Sequence, residues 1–108
     1  MSDTQLPATI IDDQFEKLTA SNGSVAIIEF WSFRCEQSRH MAPRISRIAA
    51  LLGEQAHVYK SNVDDCPRLT SYFRISVLPT VIVLVNGSET DRFYEDWSDE
   101  DLMSAVPK

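Results

Sequence analysis

Cysteine is scarce in this chain, with only Cys35 and Cys66 among 108 residues, and so are glycine, with three, and proline, with five. Two cysteines cannot build a disulfide framework, so a reducing cytoplasm is the expected setting. No collagen-like period, low-complexity tract or Pro/Gly-rich linker is present, which leaves no internal boundary. Positive charge is also in short supply: 10 Lys and Arg stand against 16 Asp and Glu, for a net charge of −6. That balance opposes binding to nucleic acid or to anionic membrane, which depends on clustered cations. No apolar run nears the roughly 20 residues that cross a bilayer. The start, MSDTQLPATI, lacks the basic-then-apolar order of a secretory leader, so none is expected. With 44% hydrophobic residues, a chain of this length buries roughly 60–70% of its unfolded surface without metal or disulfide staples. One domain spanning 1–108 is expected.

Residues 9–20 carry Ile10, Ile11, Phe15 and Leu18 among polar neighbours, with Asp12 and Asp13 early. This predicts a short extended segment followed by an amphipathic helix. Residues 21–24, Ser-Asn-Gly-Ser, form a turn cluster. The nearly continuous apolar run V-A-I-I-E-F-W at 25–31 predicts a strand buried on both faces. After Cys35, the apolar positions Met41, Ile45, Ile48, Ala49 and Leu52 recur at helical spacing and stop at Gly53. Pro43 inside that helix is expected to bend it. A strand follows at 56–63, then a short helix at 66–73 with Asp65 as the expected cap and Pro67 in its first turn. A second apolar strand at 80–85 turns through Asn86-Gly87 into a strand at 88–94. Ser98 and Asp101 open a final helix with an acidic capping box. The order β-α-β-α-β-α-β-β-α predicts an α/β fold, a sheet with parallel pairing covered by helices on both faces.

Cys35 falls between the buried strand and the long helix. A thiol there faces unpaired backbone N–H groups and the positive end of the helix dipole, which favour thiolate. Arg34 and Arg39 act in the same direction and Glu36 opposes them. On local context alone, a reactive thiol and a small buried hydrophobe remain equally open.

The segment F-W-S-F-R-C-E-Q-S-R at 30–39, followed by Pro43, resembles the thioredoxin active-site segment F-W-A-x-W-C-G-P-C-K. Val77-Leu78-Pro79-Thr80 resembles the segment that carries the family's cis proline. Asn86-Gly87 matches its hairpin, and Lys60 with Asn62-Val63-Asp64 matches its K-x-N-x-D strand end. Glu29 stands where the family has a buried aspartate. The resemblance runs over almost the whole chain and implies the thioredoxin fold, a central mixed sheet with helices on both faces.

It also implies thiol–disulfide exchange with Cys35 as nucleophile. The family's second cysteine is replaced by Ser38, giving C-x-x-S; Glu36-Gln37 replaces Gly-Pro, Arg34 replaces a tryptophan, and Glu95 replaces a groove glycine. In the family the second cysteine resolves the mixed disulfide intramolecularly, at effective molarities of about 10⁵ M or more for well-oriented groups. A serine hydroxyl cannot do this. The resemblance therefore implies a monothiol exchanger, forming mixed disulfides and acting in deglutathionylation or isomerisation. Protein disulfides or thiols are its expected partners, and glutathione is a candidate co-substrate. Neither a cofactor nor a metal is implied, and a monomer is expected. Trp31, Arg34, Glu36, Gln37, Leu78, Pro79 and Glu95 would line the substrate groove. Glu29 is either a proton-transfer group beside Lys60 or the acidic half of an ion pair with it. Cys66 reads as a structural thiol, and His40 and His57 as surface histidines. Two other readings stay open: a non-catalytic binding or assembly module, and an ordinary dithiol thioredoxin in which Ser38 was introduced as a trap.

Overall fold

The computed structural model describes residues 5–19 and 23–107. The chain forms β1 (Ala8–Thr9), a 3-10 turn (Asp12–Gln14), α1 (Phe15–Thr19) and β2 (Val25–Trp31). There follow α2 (Glu36–Leu52), a second 3-10 turn (Gly53–Gln55), β3 (His57–Asn62) and α3 (Pro67–Tyr72). β4 (Thr80–Val85), β5 (Ser88–Phe93) and α4 (Asp99–Ser104) complete the chain. This is the order read from the sequence. The expected ends of the first helix and its turn, at Ala20, Ser21 and Asn22, lie outside the described residues.

The five strands form one sheet in the order β1-β3-β2-β4-β5. β2 pairs parallel with β3 and antiparallel with β4, so the sheet is mixed and β2 is central. Side chains alternate across a strand, and this alternation separates two cores. Ile27, Val58, Val81 and Val83 meet Met41, Ile45, Ile48 and Leu52 of α2 and Leu102 of α4. Ala26, Ile28, Phe30, Ile82 and Leu84 meet Leu18, Leu69 and Phe73 on the other side. Both faces of β2 are covered, which is why its sequence reads as an unbroken apolar run. Glu29 shares the alternation of Ile27, so it is buried on the α2 side.

α2 continues through Pro43 for 17 residues, although proline withholds an amide from the carbonyl four residues earlier. It stops at Gly53, whose φ of 54° is cheap only for glycine and whose N–H donates to Ala49 O. Asn86 and Gly87 both have positive φ, as a two-residue hairpin requires. The Ser98–Asp101 capping box forms in both directions.

One local expectation needs correction. Cys66, not Asp65, is the N-cap of α3, and it offers no side-chain cap bond. The first-turn amides of Arg68 and Leu69 donate instead to the two carboxylate oxygens of Asp12, each at 3.0 Å. Ile10 and Ile11 fall in the extended entry before the 3-10 turn, Ile10 buried and Ile11 exposed.

Candidate active site

Cys35 is the N-cap of α2 in extended geometry and is half-buried. The turn that presents it is tied back by its own N–H, which donates to Ser32 O at 3.1 Å. Two acceptors face its sulfur, Gln37 Oε1 and the Leu78 carbonyl, each at 3.6 Å. Leu78 comes into reach because its loop leads into β4 next to β2; the Leu78–Pro79 peptide is cis and Pro79 is buried.

Ser38 sits three residues further on, fully buried, and its hydroxyl has no hydrogen-bond partner. It heads the stripe of α2 residues that face the sheet: Ser38, Met41, Ile45, Ile48 and Leu52 are all buried. That three-four spacing, extended back by one step from Met41, is the sequence signal that places position 38 inside the protein.

Behind Ser38 lies a cavity of about 290 Å³ lined by Glu29, Trp31, Phe33, Arg39, Ala42 and Lys60 together with Ser38 itself. Among the described residues, four buried side-chain polar atoms lack a partner, and three of them belong to this lining: Glu29 Oε2, Trp31 Nε1 and Ser38 Oγ. Unpartnered polar groups are costly and concentrate where a protein does chemistry. Burial pushes the Glu29 carboxyl up to about 7, with Lys60 pulling it partly back. The two residues are register neighbours on β2 and β3, yet Glu29 forms none of the salt bridges among the described residues. Trp31 packs edge-on against Phe33, with ring centroids 4.6 Å apart.

Arg34, which flanks Cys35 in the sequence, is paired in the fold. Its guanidinium is bonded to Asp64 just beyond β3. The other Asp64 oxygen accepts from Ser32 Oγ at 3.1 Å. Asp64 is thus part of the active-site turn through space. Its signals in the sequence are the K-x-N-x-D match and its place two residues after the end of β3, whose parallel register with β2 sets Asn62 opposite Trp31. Glu36, Gln37 and Glu95 are exposed. Glu95 lines a hollow with Gln37, His40, Met41 and Arg44, and another with Val77, Phe93 and Tyr94, so it flanks the cysteine turn.

Cys66 is elsewhere. It is 1% exposed in the core on the α1 and α3 side, with its sulfur 3.2 Å from Ile10 O. Burial pushes its thiol up. His40 and His57 are exposed, and no group of metal-ligating side chains occurs among the described residues. No helix among them is long and apolar enough to cross a membrane.

Fold and site together describe a protein organised around one accessible thiol at the end of a central strand. Comparison with known proteins gives its lineage: residues 7–108 match the family model described as Thioredoxin, and the chain belongs to the thioredoxin family. The thioredoxin of Rickettsia bellii is 28% identical over 86 residues, covering 80% of this chain and 82% of that protein. Thioredoxin 1 of Synechococcus elongatus is 27% identical over 101 residues, covering 94% and 86%. Among solved structures, the thioredoxin of Malassezia sympodialis superposes with a TM-score of 0.82 at 23% identity, covering 98% and 93% of the two chains. A mutant thioredoxin from Halobacterium salinarum gives a TM-score of 0.81 at 18% identity, covering 98% and 92%. The family is one of thiol–disulfide oxidoreductases acting on protein thiols and disulfides, and it needs no cofactor.

Proposed function

We propose that this protein is a monothiol thiol–disulfide exchanger in which Cys35 does the covalent chemistry. The observation that carries this reading is the contrast within one turn of helix: Cys35 is half-exposed at the N-cap, while position 38 is a buried serine. In the first step the Cys35 thiol loses its proton to solvent and the thiolate attacks a disulfide. A new disulfide forms to Cys35, the old S–S bond breaks, and the other half leaves as thiolate. In the second step an outside thiol, such as glutathione or a second thiol of the client, attacks the mixed disulfide and Cys35 leaves. Ser38 cannot supply that thiol. The Leu78 and Pro79 backbone would receive an extended client segment, with Trp31, Glu36, Gln37 and Glu95 along its path. Glu29, titrating near neutrality and sharing the cavity with Ser38 and Lys60, is the internal group able to exchange a proton with the site. The setting is a reducing cytoplasm and the working form a monomer.

One observation favours a second reading, a binding module with a spectator cysteine. Both groups hydrogen-bonded to the Cys35 sulfur are acceptors, and neither is a cation or a base that would activate it. Intact-mass analysis separates the two. After exposure to oxidised glutathione, the exchanger carries one adduct, on Cys35, and excess reduced glutathione removes it. A chain that stays unmodified while still retaining client proteins is a binding module.

A further inference from the structure

The residue immediately before the nucleophile carries a permanent positive charge, and the fold supplies a counter-charge from 30 residues away. Arg34 Nη2 bonds to Asp64 Oδ1, and Asp64 Oδ2 accepts from Ser32 Oγ. The same serine oxygen accepts the backbone N–H of Arg34 at 3.2 Å. Asp64 is itself fixed, because its backbone N–H donates to Asn62 Oδ1 at 3.0 Å. The anchored partner is therefore the carboxylate, and the movable one is the arginine, whose side chain is 80% exposed. Exposed ion pairs are weak and exchange readily. A guanidinium has five N–H donors, so the single bond to Asp64 leaves most of its fork open to another carboxylate. The nearby acids Glu36 and Glu95 are exposed on the side of the turn marked by Gln37 and His40.

We propose that Arg34 is the specificity-determining residue of the exchange and Asp64 its resting partner. Preferred substrates are then disulfides that carry a carboxylate beside the reacting sulfur. Such a substrate displaces Asp64 from the guanidinium while the Cys35 thiolate attacks. The S–S bond breaks, the carboxylate-bearing half remains on Cys35 or leaves as thiolate, and Arg34 returns to Asp64 on release. This inference rests on the reading of Cys35 as the exchanging thiol.

Reaction rates of the full chain with two small disulfides test it: dithiobis(nitrobenzoate), which is anionic, and dithiodipyridine, which is neutral. Arg34→Ala should slow the anionic reagent about fivefold and the neutral one less than about twofold, the size expected of one nearby charge in a wet site. The difference should collapse in about 1 M salt, where the screening length is about 3 Å. Arg34→Lys should keep most of the preference, because it keeps the charge. Asp64→Asn should speed the anionic reagent about twofold, and should have no such effect once Arg34 is alanine. Equal slowing of both reagents by Arg34→Ala, or an Asp64→Asn effect that persists without Arg34, would overturn the proposal. A Cys35→Ser control separates this failure from failure of the functional reading. If both reagents still react at the original rate in that variant, Cys35 is not the exchanging thiol. If the reaction is lost there but shows no charge preference in the parent chain, only the role of Arg34 falls.

Discussion

The two faces of the sheet differ in how many buried polar atoms they leave unpaired. On the α1 and α3 side the Cys66 sulfur reaches Ile10 O, Asp12 takes up the free amides at the start of α3, and among the described residues one buried polar atom, Ser61 Oγ, lacks a partner. On the α2 side three polar atoms, from Glu29, Trp31 and Ser38, are buried around one cavity with no partner. An interior selected only for stability would replace these groups with apolar ones or pair them. The face with three unpaired atoms is also the one that ends at Cys35. The same residue type accordingly has two characters in one small fold: a sealed structural thiol and a presented one.

The largest effect that could break this comparison comes from the cysteines themselves. Cys35→Ser should reduce thiol–disulfide exchange to the uncatalysed background, whereas Cys66→Ala should leave exchange rates unchanged and show its effect only in unfolding. Rates with a glutathionylated protein check both. Loss of exchange in Cys66→Ala, with the fold intact by circular dichroism, would mean that the two faces communicate.

Glu29 gives the next largest effect. Its carboxyl is raised from an ordinary 4.5 to about 7, so between these values the folded state holds a proton that the unfolded state has released. The contribution is fully present below about pH 4.5 and is lost as pH rises through 7, a total of about 3 kcal/mol. Glu29→Gln should remove this fall, so the variant gains on the parent between pH 5 and pH 8 in urea unfolding. Parallel pH profiles for the two proteins would show that Glu29 finds a partner in solution.

A smaller effect is expected at Ser38. Replacing its unpartnered hydroxyl with hydrogen in Ser38→Ala should stabilise the fold by about 1 kcal/mol. Destabilisation of that size, measured by thermal or urea unfolding, would indicate a bonded hydroxyl and weaken the contrast between the faces.

How much of this was legible in the sequence follows from the range of the interactions. Strand and helix order, the stop at Gly53, the Asn86-Gly87 turn and the Ser98 cap depend on residues a few positions apart, and all read correctly. The α3 cap did not, because Asp12 lies 56 positions before Arg68. Cys35, Ser38 and Glu29 could be singled out from spacing and resemblance. The state of Arg34 could not: a sequence shows its charge beside Cys35 but not the carboxylate that β3 carries up to meet it. Nor does a sequence show whether Glu29 and Lys60, neighbours in register, close into a salt bridge.

The central claim is that this site has one working sulfur, and the measurement that tests it most directly is turnover with two alternative electron sources. With thioredoxin reductase alone, disulfide reduction should stay at background, because Cys35 and Ser38 cannot form the intramolecular disulfide that the reductase accepts. With reduced glutathione, exchange on a glutathionylated protein should proceed, and Ser38→Cys should gain reductase-driven turnover. Reductase-driven turnover by the unaltered chain, at a rate unaffected by glutathione, would contradict the account and require a second sulfur to take part.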